Sequence, residues 1–239
     1  KCCFPDMLND EAREWFGDKY RILIDKGIDG FWNDMNEPAI FYSEKRLKKV
    51  FDKMEEYKTA NLDGNTFFEM SDVIVTISNH PEDYASCYHT YKGKRYRHDK
   101  VHNLFGYYMT RSAAEAFERY VPEKRILLFS RASYIGMHRS GGIWQGDNMA
   151  WWSHLKMNVK MMPSLNMCGF LYTGADVGGF GADTTEDLVL RWLEFAVFTP
   201  LLRNHSARGT RRQEVYRFSH VQDFADVIGV RYQILPYIY

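Results

Sequence analysis

Two short segments of the chain set carboxylates where they could do chemistry. GFWNDMNEP, residues 30 to 38, puts Asn33, Asp34, Asn36 and Glu37 directly behind a short apolar run, and GGIWQGDN, residues 141 to 148, ends a second such run on Gly146 and Asp147. Alone, Asp34 reads first as the cap of a following helix, because short side-chain acceptors satisfy the free N–H groups of a helix start. The recurrence changes that reading. Two carboxylates at the ends of two strands of one domain can serve as nucleophile or base and as proton donor, the pair that glycoside cleavage requires.

Composition allows such an enzyme and argues against other classes. The 239 residues are 45% hydrophobic and 16% aromatic, enough for a large core in one or two domains. Lys plus Arg (31) balances Asp plus Glu (31), so no basic field draws nucleic acid and a neutral substrate fits better. Arg208, Arg211 and Arg212 form a local basic run, read as a solvated loop. Nothing resembles a membrane span or a signal peptide. The chain starts at Lys1 rather than Met and is read as cut from a longer one. Four cysteines, two of them the adjacent Cys2 and Cys3, make no disulfide framework; a reducing compartment, and so a cytoplasmic location, is expected. His98 and His102 share a helical face at a spacing that could hold a metal. Without a third ligand they read as a solvated helix face, and neither metal nor cofactor is expected.

The elements that must position these carboxylates alternate between helix and strand. Residues 9–26 open on the capping candidate Asn9 and set Ala12, Trp15, Phe16, Tyr20, Leu23 and Ile24 on one helical face, feeding a strand at 28–33. A helix is predicted over 101–119 with Leu104, Phe105, Tyr108, Ala116 and Phe117 inward. A strand at 125–130 follows, then a short one near Ile143 and Trp144, a helix at 150–166 and the strand GFLYTGAD at 169–176. Thr184, with Asp187 three residues on, predicts the next helix start; TPLLRNH at 199–205 and a last helix from about Val221 complete the repeat. Five strands end in polar residues: Asp34, Arg131, Asp147, Asp176 and His205. That regularity predicts the C-terminal portion of a (β/α)₈ barrel, about strands 4 to 8, over a doubly wound sheet, whose Gly-rich phosphate loop is missing. Residues 42–100 show no clear periodicity and read as an insertion or lid within 1–239.

The motifs WNDMNEP, RASYIGMHRSGGIWQGDN, GADVGGF and RNH, in this order from about residue 4 onward, resemble the α-glucosidases of glycoside hydrolase family 31, of the bacterial isomaltase-like kind. The resemblance implies a retaining, exo-acting α-glucosidase that releases terminal glucose from maltose- or isomaltose-type oligosaccharides through a covalent glucosyl-enzyme intermediate. Its alternatives are an α-glucosyltransferase of the same family and a catalytically inactive sugar-binding protein. It implies that the other partners are the remaining N-terminal barrel strands and accessory β domains of the same polypeptide, with no nucleic acid and no membrane. The family's further sugar-binding aspartate sits on an earlier strand that residues 1–239 lack.

Residue by residue, the resemblance makes Asp34 the nucleophile and Asp147 the general acid and then base, a role that requires Asp147 to hold its proton while Asp34 is charged. Arg131 and His205 resemble donors to sugar hydroxyls. Trp32, Phe41, Trp144 and Phe180 match aromatic positions of the sugar pocket, with Met35 beside them. Asp176 is expected to position Arg131 and Glu37 to be an acid behind the site, although on the bare sequence Glu37 is the reserve candidate for nucleophile.

Overall fold

The computed structural model describes residues 3–239; Cys2 lies outside them. In chain order the elements are α1 (Asp10–Ile24), β1 (Gly30–Asn33), α2 (Glu44–Tyr57), α3 (Gly64–Val75), α4 (Pro81–Ser86), β2 (Tyr88–Tyr91), β3 (Lys94–Arg97), α5 (His98–Tyr120), β4 (Leu127–Ser130), β5 (Gly142–Trp144), α6 (Trp152–Met167), β6 (Thr173–Val177), α7 (Glu186–Ala196), β7 (Leu201–Asn204) and α8 (Val221–Ile238). They fall into two compact units, residues 3–28 with 35–124 and residues 29–34 with 125–239.

The second unit is built on a parallel sheet in the order β1-β4-β5-β6-β7. Each strand joins the outer side of the one before it, the order a closing barrel needs, whereas a doubly wound sheet reverses at its switch point. The core lies where α7 and α8 cover β6. Leu188, Val189, Trp192, Leu193 and Ala196 recur at helical spacing along α7, and all are buried with Ala175, Val177 and Phe224. The start of α7 is one residue later than predicted. Thr185, not Thr184, is its cap, accepting from the Leu188 N–H at 3.3 Å.

The strand predicted at 169–176 begins only at Thr173. Gly169, at φ 91°, donates to the Asn166 carbonyl, and the Phe170 N–H reaches the Leu165 carbonyl at 3.0 Å. These bonds close the C-terminus of α6, so the apolar residues after Gly169 cap a helix before any strand starts.

In the first unit, α1 packs on α5. Asn9 caps α1 as predicted, but the face that packs is rotated. Arg13, Gly17 and Ile24 are buried while Trp15 and Leu23 are exposed. Gly17 sets this rotation, because a Cβ there would press on the Ser112 carbonyl and on Ala116 of α5. Arg13 is tolerated inside because its Nη1 donates to the Met7 and Leu8 carbonyls and its guanidinium lies over the Tyr108 ring. In α5, Phe105, Ala116 and Phe117 are buried as expected, and Leu104 and Tyr108 are half-buried.

Residues 42–100 are more ordered than their sequence suggested, with three helices and the antiparallel hairpin β2–β3. Leu47, Val50, Phe51 and Met54 have the i, i+3, i+4, i+7 spacing of α2, a pattern hidden among its Lys and Glu residues.

His98 and His102 do not form a solvated face. His98 is 1% exposed and sits in a hydrogen-bonded file. Asp6 Oδ1 meets His89 Nδ1 at 3.0 Å, His89 Nε2 meets His98 Nδ1 at 2.8 Å, and His98 Nε2 meets His102 Nδ1 at 2.9 Å. The Asp6 carboxylate can only accept, so His89 Nδ1 donates to it, and the rings beyond are linked nitrogen to nitrogen. Burial, reinforced by His89 and His102, pushes His98 down to about 4 from its ordinary 6.5. The unfolded chain therefore binds a proton at this residue that the fold excludes. Stability is retained above pH 6.5 and lost as pH falls toward 4, by on the order of 3 kcal/mol. Melting curves of the parent and of His98→Gln, recorded from pH 7 to 4, are expected to converge as pH falls; parallel curves would remove His98 as the source.

Candidate active site

The site is assembled at the C-terminal ends of the five parallel strands, all within the second unit. Alternation along β1 buries Phe31 and Asn33 and turns Trp32 and Asp34 to the opposite side. The register sets Asn33 beside Ser130, and the Arg131 N–H donates to the Asn33 carbonyl at 3.0 Å, so Asp34 and Arg131 leave their strands as neighbours. Arg131 Nη1 lies 3.3 Å from Asp34 Oδ1 and 3.8 Å from Asp147 Oδ2. One guanidinium thus faces both candidate carboxylates. These oxygens are separated by no more than the sum of the two distances, which leaves out most of the roughly 6.5–9.5 Å spacing of inverting glycosidases. Asp34 and Asp147 keep 41% and 52% of their side-chain surface exposed against 17% for Arg131, so the acids face open space and the cation sits behind them.

The loops after β5, β6 and β7 are laced together by backbone bonds. The Asn148 carbonyl accepts from the Phe180 and Gly181 N–H groups at 2.6 and 3.0 Å, the Ala150 N–H donates to the Gly181 carbonyl, and the Ala207 N–H donates to the Phe180 carbonyl. The buried Gln213 side chain adds bonds to the Val177 carbonyl and to Asn204 Oδ1. This lacing carries Asp147, Phe180 and His205 together. Trp32 stands edge-on to Trp144 with ring centroids 5.0 Å apart and edge-on to His205 at 5.3 Å, and Phe180 tilts over His205 at 5.2 Å.

Asp176 does not position Arg131. It is fully buried and paired with Arg203, its register partner on the adjacent strand, whereas Arg131 follows β4, two strands away. Burial pushes the Asp176 carboxyl up, against the pull of the Arg203 guanidinium. Arg203 is the residue that sequence reading missed. The signal was in RNH: residues two apart on a strand share a face, so Arg203 and His205 belong to one side of β7. Met35, Phe41 and Glu37 belong to the first unit and are not among the residues that the second unit brings together. Among the described residues no group of three His, Cys, Asp or Glu side chains could hold a metal ion.

The chain matches the model of the glycosyl hydrolases family 31 TIM-barrel domain over residues 1–239, and it belongs to that family. Its five parallel strands are part of a (β/α)₈ barrel. It is 33% identical to alpha-glucosidase 2 of Bacillus thermoamyloliquefaciens across 100% of this chain and 26% of that protein. It is 29% identical to the alpha-glucosidase of Saccharolobus solfataricus, covering 99% of this chain and 33% of that protein. The crystal structure of the family 31 alpha-glucosidase from Bacteroides thetaiotaomicron superposes with a TM-score of 0.68 at 29% identity over 99% of this chain and 32% of that one. The chain thus spans about a quarter to a third of the length of these relatives.

Gly179 is the backbone constraint on the lacing. It has φ 91°, and a Cβ there would strike the backbone of Ala150. Gly209 has φ 93° with no atom within 4 Å of a Cβ. Gly209→Ala is expected to cost about 1 kcal/mol of backbone strain, and Gly179→Ala on the order of 2 kcal/mol or more because a clash is added. Chemical denaturation of the two variants checks the difference, and equal losses would show that the loops yield at Ala150.

Proposed function

We propose that the protein containing this chain is a retaining α-glucosidase, with Asp34 as nucleophile and Asp147 as acid/base. The observation that carries this reading is the single Arg131 guanidinium facing both carboxylates. In the first step an Asp34 oxygen attacks the anomeric carbon while Asp147 gives its proton to the glycosidic oxygen, so the C–O bond to the aglycone breaks and a glucosyl ester forms. In the second step Asp147, now a carboxylate, takes a proton from water, whose oxygen attacks the anomeric carbon and frees Asp34. Arg131 offsets the charge that passes between the two acids. Trp32 and Phe180 offer ring surface to the C–H face of a pyranose, with the buried Trp144 packed edge-on against Trp32, while Arg131 and His205 donate to its hydroxyls. Met35 and Phe41 join this set on family resemblance alone.

Terminal glucose of maltose- or isomaltose-type oligosaccharides is the proposed substrate, supported by the names of the relatives, alpha-glucosidases among them. The remaining barrel strands are proposed to come from the same polypeptide. Two facts support this: the chain's short share of its relatives' length, and β1 and β7 standing at the ends of the sheet. A sugar-binding protein without activity would have no use for a proton donor opposite a nucleophile. An α-glucosyltransferase would share the intermediate, and products formed at high sugar concentration separate it from a hydrolase.

In the whole protein, Asp34→Ala is expected to lower kcat on the order of 10⁴-fold or more while substrate still binds. A 5-fluoro-glucosyl fluoride is expected to label Asp34 in mass spectrometry; a label on Glu37 would overturn the assignment. Asp147→Ala is expected to slow substrates with poor leaving groups far more than activated aryl glucosides, which need little protonation. Proton NMR of the first product is expected to show α-glucose, and β-glucose would make the mechanism inverting.

A further inference from the structure

We infer that Arg203, anchored by the buried Asp176, is the positioning residue of Trp32, the exposed indole of the sugar subsite, and of the buried Trp144 packed against it. The inference rests on the α-glucosidase reading above and gives a role to a residue that reading leaves unused. Arg203 lies two residues before His205, so both face the same side of β7, and its register partner is Asp176. Its guanidinium carbon is 3.6 Å from the Trp32 ring centroid and 5.3 Å from that of Trp144, both within cation–π reach. The same head donates from Nη2 to Asp176 Oδ1.

A guanidinium can do both at once because its face stacks while its in-plane N–H groups donate; an ammonium has no face to offer. Asp176 is fully buried and acts on the site through Arg203. The fork in turn lies against Trp32, which stands edge-on to both Trp144 and His205. Trp32 remains 40% exposed, so one part of the indole is held by the cation while another part is open to a ligand. Removing the planar support lets both indoles move and weakens sugar binding in the ground state, whereas the reacting carboxylates answer to Arg131.

The test uses the whole protein and two variants. Arg203→Lys keeps a positive charge for Asp176 but loses the planar face. Arg203→Met combined with Asp176→Asn removes both charges, so neither is left buried alone. Both are expected to melt near the parent, to raise KM for an unactivated glucose disaccharide roughly tenfold or more, and to weaken an iminosugar inhibitor by a similar factor. The kcat on an aryl glucoside is expected to change less than about threefold. A purely structural role would instead lower the amount of active enzyme, and with it apparent kcat, at unchanged KM. Parent-like KM and inhibitor affinity in either variant would overturn the inference while leaving the glycosidase reading intact. If neither variant folds, Arg203 serves the fold alone and the inference fails. A parent that neither cleaves α-glucosides nor binds the iminosugar would overturn the site reading and this inference with it.

Discussion

Parallel pairing is the constraint on which the site depends. In a parallel sheet every strand ends on the same side, so residues that follow strands are brought together without any sequence proximity. Asp34, Arg131, Asp147 and His205 all follow strands, and Asp176 lies near the end of one. The register makes that gathering specific. Because side chains alternate with a period of two, a slip of one residue in β1 would turn Asp34 and Trp32 to the face now occupied by Phe31 and Asn33.

Two arginines divide the electrostatic work. Arg131 faces two carboxylates that keep about half of their side-chain surface exposed. Arg203 compensates one acid that has no access to water, where a lone charge would be strongly disfavoured. The first arrangement leaves its acids within reach of solvent; the second holds its acid in place. Trp32 and Trp144 lie on the second arginine, so the cation held by the buried acid is also in contact with the aromatic rings of the site.

Much of this was legible in the sequence because period and punctuation carry physical information. Asn9 at the head of α1, the start of α8 at Val221 and the polar residues closing five strands all follow from local rules. The failures came where tertiary contact overrides them. The face of α1 is decided by the absence of a side chain at Gly17, which an apolar count cannot register. The partner of Asp176 is decided by strand register, which a linear reading does not contain. The apolar stripe of α2 is present in the sequence but diluted by charge, and the burial of His98 is hidden because the file it joins runs through His89 on the hairpin to the far-off Asp6. Arg203 escaped because RNH drew attention to its histidine.

The chain crosses between its two units and back within a few residues. Residues 29–34 belong to the second unit, yet both flanks of this stretch belong to the first. The partner of β1, β4, arrives only after the intervening first-unit residues, so their pairing closes a loop of roughly a hundred residues and, for a flexible chain, carries an entropic cost of about 4 kcal/mol. If α1, α5 and the elements between them are already compact, that loop is effectively short and most of the cost has been met by contacts of their own. The strand that carries Asp34 therefore pairs early only once those helices have formed. Its order of assembly depends on helices that lie outside its own sheet.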